Sequence, residues 1–283
     1  MIVTKSIQSL DNPRIKYINK LKQRKYRKQE ASFIIEGEKI ILEALKRNKL
    51  ANYYKVKELY VSDSFAFQNL IISDIEKIPV YTVTDKVFSN ISTVQSPQGC
   101  LAVIEKVDLD IAQVLELRDK QATKKYQLIF LLDGIQDPGN VGTIIRTADA
   151  VGAEAVILGA GTVDTFNDKV IRSAMGSIFH VPVLELEIIT AAKILKEQQY
   201  QLLAADLSGV SYFDLHSSMD MSEAKLAIVL GNEGSGLSDG IKQNVDSFVS
   251  IPMPGSAESL NVSVAAGIIA FDIVRQWGLQ NQS

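Results

Sequence analysis

The chain has 283 residues, 46% of them hydrophobic, which is enough to bury one large core or two of ordinary size. Its single cysteine, Cys100, excludes an intrachain disulfide, and two histidines, His180 and His216, without a cysteine cluster give no metal-ligand set. Net charge is −3, but residues 1–57 carry 15 Lys/Arg against 5 Asp/Glu, while the remainder carries 15 against 28. No apolar run approaches the roughly 18 residues of a membrane span, and the N-terminus lacks a signal-peptide pattern. The expectation is a cytoplasmic protein with no membrane segment and no metal.

In chain order, a helix is predicted over residues 12–28. It holds Arg14, Lys16, Lys20, Lys22, Arg24, Lys25, Arg27 and Lys28, with Tyr17 and Tyr26 between them and no acid after Arg14. Such runs are usually solvated helix faces. This one is of a single sign, so i,i+4 pairing cannot relieve its repulsion, and a polyanion can. Arg14, Lys16, Lys22, Arg24, Lys25, Arg27 and Lys28 are therefore candidate nucleic-acid-binding residues. A strand at 33–35, a helix at 38–49 with Ile41, Leu42 and Leu45 on its apolar face, strands at 56–61 and 79–83 around a helix at 65–75, and a strand at 99–104 follow. Alternation of this kind gives a small layered α/β domain over residues 1–105.

Residues 106–126 are polar and read as a helical connector holding the domain boundary. Beyond it, from 127 to 283, short apolar runs at 128–132, 155–158, 181–184, 202–205, 226–230 and 248–251 alternate with helical patterns. That is the pattern of a parallel sheet covered on both faces, with ligands beyond the carboxyl ends of its strands. Three loops fall at such ends. The first is DGIQDPGNVGTIIR, residues 133–146, with Asn140 or Thr143 starting a helix. The second, LGNEGSGLS, spans 230–238, and the third follows Ile251. The glycine spacing fits neither GxGxxG nor a GxxxxGK[ST] phosphate loop. After the third loop Ser259 is the candidate N-cap of a helix running to about Trp277. Val264, Ile268 and Phe271 fall at i, i+4 and i+7, and other faces are apolar too, so this helix lies in a core or against a second subunit.

Together Asn140-x-Gly142-x-x-x-Arg146, Leu230-Gly-Asn-Glu-Gly-Ser-Gly236 and Ile251-Pro-Met with Ser259-Leu-Asn-Val-Ser263 resemble the three motifs of the SpoU (TrmH-type) RNA 2′-O-ribose methyltransferases of the SPOUT class. Leu10-Asp-Asn-Pro-Arg-Ile-Lys16 and Phe33-Ile-Ile-Glu-Gly37 resemble the substrate-binding domain that precedes the catalytic domain in ribosomal-RNA members. The resemblance implies an α/β fold: a small N-terminal RNA-binding domain, then a parallel-sheet methyltransferase domain with a C-terminal trefoil knot. It implies S-adenosylmethionine as cofactor, contacted by Gly231, Ile251 and Leu260, with Ser259 aiding its carboxylate or capping the helix. Glycine at 231 would keep side-chain bulk away from the adenosyl group.

The family credits the residue matching Arg146 with activating the 2′-hydroxyl. A guanidinium with a pKa above about 12 suits stabilisation of oxyanion charge better than proton abstraction. Asn140 and Asn261 would anchor loops or the arginine, and Glu233 would orient Arg146 through a bidentate pair. The family also implies a homodimer in which Arg146 reaches the partner's cofactor. Ribosomal RNA of the 23S type is the expected substrate. The alternatives are a transfer-RNA 2′-O-methyltransferase and an inactive RNA-binding protein on the same scaffold. Base methylation through a cysteine is disfavoured, because Cys100 lies outside all three motifs.

Overall fold

The computed structural model describes residues 4–47, 53–65, 78–119, 126–215 and 225–280. Two compact units result: residues 1–108 with 166–180, and residues 109–165 with 181–283.

In the first unit, strands β1 (Thr4–Ile7), β2 (Ser32–Glu36), β3 (Tyr54–Ser62), β4 (Val80–Val83) and β5 (Cys100–Lys106) form one sheet in the order β1-β4-β3-β5-β2. β1, β4 and β3 run parallel, and β5 runs antiparallel to β3 and β2. The edge strand β1 carries too little apolar sequence (TKSI) to be read in advance.

The basic segment is two helices rather than one, α1 (Pro13–Leu21) and α2 (Arg24–Glu30). Asn12 caps α1 by accepting from the Arg14 N–H, Pro13 starts it, and Ile15, Ile18 and Leu21 are buried. Gln23 turns extended, at φ −99° and ψ 133°. α2 then folds back so that Arg27 Nη1 donates to the otherwise open carbonyls of Leu21 (2.9 Å) and Lys22 (2.7 Å). Helix α3 (Glu38–Arg47) fits the predicted pattern. Its last predicted residues, and all but the start of the helix predicted at 65–75, lie outside the described residues. Helix α4 (Asp85–Ile91), capped by Thr84, was not anticipated.

Residues 166–180 complete this unit. Phe166 stacks on Phe33 at 4.3 Å, and Tyr54 meets Phe33, Phe166 and Phe179 edge-on at 5.7, 6.2 and 5.5 Å. The Lys106 ammonium lies 5.7 Å from the Phe166 ring centre, and His180 Nε2 bonds Glu43 Oε1 at 2.8 Å. Burial drives the Tyr54 phenol well above its ordinary pKa.

In the second unit all six predicted apolar runs are strands, and all pair in parallel: β6 (Gln127–Asp133), β7 (Ala155–Leu158), β8 (Val183–Glu185), β9 (Gln201–Ser211), β10 (Lys225–Gly231) and β11 (Ser247–Ser250). Their order is β11-β9-β10-β6-β7-β8, so the chain moves outward from β6 in one direction and returns to build the other half. The polar connector is helical at α5 (Ile111–Asp119), whose Ile111, Val114 and Leu115 join the same core as Ile129, Ile157 and Val229.

One irregularity shapes the ligand end of this sheet. β9 pairs with β11 at Ala204↔Phe248 and next at Val210↔Val249, so residues 205–209 loop out. Gly209 closes the loop against backbone: a Cβ there would lie 2.4 Å from the Phe248 carbonyl carbon and 2.5 Å from the Val249 nitrogen.

Phe166→Ala should cost the first unit about 3 kcal/mol by removing a ring stacked in its core. Hydrogen exchange is expected to quicken in β2 and β3 and to stay unchanged in β10; equal quickening in β10 would mean the ring supports the second unit instead.

Candidate active site

Helix α6 (Pro138–Ala150) begins earlier than expected. Asp137, not Asn140 or Thr143, is its N-cap, accepting from the Asn140 N–H at 2.9 Å, with Pro138 in the first turn. This start turns the Asn140 side chain inward, where it is 8% exposed. Its Nδ2 donates to Glu233 Oε1 at 2.9 Å, and its Oδ1 accepts from Asn261 Nδ2 at 2.9 Å. Asn261 Oδ1 in turn accepts from the Ser263 N–H (2.9 Å) and Oγ (2.6 Å), at the start of the C-terminal helix Val262–Gln280. Asn261 therefore caps that helix; Ser259 is exposed and does not.

The chain of bonds has one consistent polarity. An ionised carboxylate only accepts, so Glu233 fixes the Asn140 amide, and that fixes the Asn261 amide. Glu233 also faces the main-chain N–H groups of Gln136 and Asp137 at 3.3 Å each. Partial burial works against its charge, but the Asn140 amide and the main-chain N–H groups outweigh burial and hold the carboxyl below its ordinary range. The expected bidentate pair between Glu233 and Arg146 is not formed, because Glu233 is committed to Asn140 and to the loop before α6. Arg146 is exposed and makes no hydrogen bond or ion pair with the described residues.

The glycine-rich loop after β10 is closed on itself. Asn232 and Gly236 exchange main-chain bonds at 2.9 and 3.0 Å. Asn232 Oδ1 accepts from the Gly234 and Ser235 N–H groups, while its Nδ2 donates to the Gly134 carbonyl at 2.7 Å. Asp133 Oδ2 accepts from the Ser238 N–H at 2.7 Å. These bonds tie the loops after β6 and β10 together, in addition to those of Glu233. A Cβ at Gly231 would lie 2.5 Å from the Gly236 carbonyl carbon and 2.6 Å from the Leu237 nitrogen. Glycine is required there by the loop's own backbone, before any ligand is considered.

The loop after β10, the segment after β11 and residues 205–207 wall a cleft of about 550 Å³. Gly231, Ile251, Ser259 and Leu260 all line it, as do Glu233 and Asn261, whereas Asn140 and Arg146 do not. The sequence reading missed Asp206 and Leu207, which the 205–209 loop brings into the wall. Asn232 was quoted only within its motif, and its cross-tie to Gly134 was not foreseen. The one available signal was the turn-forming Asp206-Leu-Ser-Gly209, since Asp206 Oδ1 accepts from the Ser208 N–H (2.9 Å) and Oγ (2.6 Å). Among the described residues the cleft offers glycine main chain, aliphatic side chains such as Val249 and Ile269, two carboxylates and no Lys or Arg. Size and lining fit a nucleoside-bearing cation held largely by backbone.

In the first unit the seven candidate RNA-binding residues divide. Arg14 is paired with Glu58 and lies 4.4 Å from the Tyr81 ring centre. Lys22 Nζ donates to the carbonyls of Asn90 (2.8 Å) and Ser92 (3.1 Å), and burial lowers its pKa. Arg27 caps α1, as above. Lys16 pairs with Asp11 at 2.8 Å, and Arg24, Lys25 and Lys28 are exposed. Among the described residues no cluster of three or more His, Cys, Asp or Glu could hold a metal ion, and no helix is long and apolar enough to cross a membrane.

Glu233 binds a proton more readily in the unfolded chain than in this site. Its stabilisation is complete above the ordinary glutamate range and is lost as pH falls through the depressed folded value. Asn140→Leu should move the Glu233 carboxyl upward and weaken this acid dependence, read by carbon-13 NMR titration of the carboxyl. An unmoved titration would show that the main-chain donors alone hold the charge.

A family model described as the SpoU rRNA Methylase family matches residues 127–271, and one described as an MRM3-like substrate binding domain matches residues 12–102. The chain is 36% identical over 271 residues to the 23S rRNA (guanosine(2553)-2′-O)-methyltransferase RlmP of Bacillus subtilis, covering 95% of this chain and 99% of that one. It is 32% identical over 213 residues to the 23S rRNA (guanosine-2′-O-)-methyltransferase RlmB of Haemophilus ducreyi, covering 74% and 84%. Among solved structures, an AdoMet-bound rRNA methyltransferase from Sinorhizobium meliloti superposes with a TM-score of 0.79 at 31% identity, covering 96% of this chain and 98% of that one.

Proposed function

Because this chain belongs to the SpoU rRNA methylase family, we propose that its three-loop site methylates a ribose 2′-hydroxyl of 23S-type ribosomal RNA. The chain is an S-adenosylmethionine-dependent RNA 2′-O-ribose methyltransferase. The observation that carries the placement of the site is the Glu233–Asn140–Asn261 chain of bonds on the rim of the cleft. It ties all three loops into one rigid unit, and rigidity is what in-line transfer demands.

S-adenosylmethionine supplies an electrophilic methyl group on a sulfonium. Gly231, Ile251 and Leu260, which line the cleft, would hold it through main chain and apolar surface, with Ser259 at the same wall. The difficult partner is the 2′-hydroxyl, which stays protonated at neutral pH. Arg146, exposed and without a partner among the described residues, is free to hold ribose–phosphate and to stabilise negative charge growing on the 2′-oxygen. Asn140, Glu233 and Asn261 act on loop geometry rather than on the reacting atoms.

The C-terminal helix supports a homodimer. Ala266, Ile269, Ala270, Ile273 and Trp277 are buried in the unit, yet Val264 and Phe271 remain 49% and 53% exposed, with half-buried Ile268 between them on the same face. An apolar stripe opposite a buried face is suited to a second copy. In such a dimer Arg146 of one subunit serves the cleft of the other. Strand order and the close packing of Gly209 and Gly231 against backbone support the knotted threading. On the first unit, Arg24, Lys25 and Lys28 supply phosphate contacts, and the protein works in the cytoplasm.

Arg146→Ala should lower methyl transfer to 23S ribosomal RNA about 10²- to 10³-fold and leave cofactor affinity within twofold. Transfer of labelled methyl, with calorimetry for the cofactor, checks both; parallel losses would place Arg146 on the cofactor instead. Phe271→Arg should yield monomers at micromolar concentration in sedimentation equilibrium. A persistent dimer would move the interface off this helix.

A further inference from the structure

The 205–209 loop has no part in the bonds that join the three motif loops, yet it is a built feature. Gly209 anchors its return against the main chain of Phe248 and Val249, where no side chain fits. Ser208 fixes the Asp206 carboxylate through its N–H and its hydroxyl. The half-buried Asp206 then lines the same cleft as Gly231, Ile251 and Leu260. These hydrogen bonds from Ser208, opposed by partial burial and aided by the charge of Lys242, hold the carboxyl below its ordinary range. Among the described residues that line the cleft, Lys242 is not included and there is no other cation, so these residues present two carboxylates, Asp206 and Glu233.

A second carboxylate is unnecessary for tying loops together, since Glu233 already does that. Its effect is on the charge of what the cleft holds. In the reaction the carbon–sulfur bond breaks, the methyl goes to the 2′-oxygen, and the 2′-proton leaves to solvent. The sulfonium, carrying one positive charge, becomes a neutral thioether. Substrate and product of the cleft thus have nearly the same shape and differ by one charge.

Resting on the methyltransferase reading, we propose that Asp206 sets the preference of this cleft for the cationic methyl donor over its neutral product, S-adenosylhomocysteine. The carboxylate holds the donor by charge and loses that hold once the methyl has gone, which speeds product release. Asp206 is a specificity residue for the donor and takes no part in activating the hydroxyl.

The test is titration calorimetry of the purified full-length protein with S-adenosylmethionine and with S-adenosylhomocysteine. Asp206→Asn keeps the shape and the acceptor for Ser208 and removes the charge. Donor affinity should fall about three- to tenfold, as for one unit charge a few ångströms away in a half-open cleft, with product affinity within twofold. Asp206→Glu should restore the donor preference, and added salt should erode the preference in wild type more than in Asp206→Asn. Equal weakening of both ligands would place the carboxylate on a part they share, such as the ribose hydroxyls, and overturn the proposal, as would no change in either. Wild-type protein that binds neither ligand would overturn the methyltransferase reading itself, a result distinct from an unchanged ratio.

Discussion

The site depends on one side chain, the Asn140 amide. It gives its two hydrogens' end to Glu233 and its oxygen to Asn261, and so joins loops that lie far apart in sequence. An amide offers a donor to one side and an acceptor to the other at fixed spacing. A carboxylate would repel Glu233, a leucine would leave Asn261 Nδ2 without this acceptor and Glu233 with main-chain donors only, and a lysine has no acceptor for Asn261. Asn140 is 8% exposed, so leaving its partners unmade would cost more than their net contribution when made. The Asp137 cap and Pro138, by fixing where α6 starts, decide that residue 140 is the one that points inward.

Glycine does for the backbone what Asn140 does for the side chains. Gly231 and Gly209 both sit where a Cβ would lie within 2.6 Å of main-chain atoms of a neighbouring segment. Each permits two stretches of chain to cross at contact distance, one at the end of β10 and one where β9 meets β11. The result is a cleft whose shape is set by main chain, so that a ligand can be read by backbone groups and by two carboxylates placed at its wall.

Much of this was legible in the sequence. Six apolar runs became six parallel strands because strands buried on both faces must be continuously apolar. The first two motif loops came together because they follow neighbouring strands, β6 beside β10; the third follows β11, which β9 separates from β10, and Asn261 joins it to the others through Asn140. Strand order itself has no local signal, and β1, with Ile7 as its buried apolar residue, was silent. The basic stretch read as one helix because Lys22 and Gln23 are ordinary helix formers. What divides it is tertiary: Lys22 holds the carbonyls of Asn90 and Ser92, and Arg27 holds the end of α1. Charge counting therefore overstated the cations free for RNA, since Arg14, Lys22 and Arg27 are engaged within the protein. Ser259 lost the helix cap to Asn261 because a cap must stand next to the first turn, and the loop runs two residues further than periodicity implied. Phe166 and Phe179 carry no sequence mark of their place among Phe33 and Tyr54.

The central claim is that these three loops direct a methyl group to a ribose oxygen. The most direct measurement is to incubate the protein with 23S ribosomal RNA and methyl-labelled S-adenosylmethionine, hydrolyse the RNA in alkali, and find where the label goes. A 2′-O-methyl group blocks cleavage at its own phosphodiester, so the account predicts label in alkali-resistant dinucleotides. Label recovered in mononucleotides would mean methylation of a base and would contradict it.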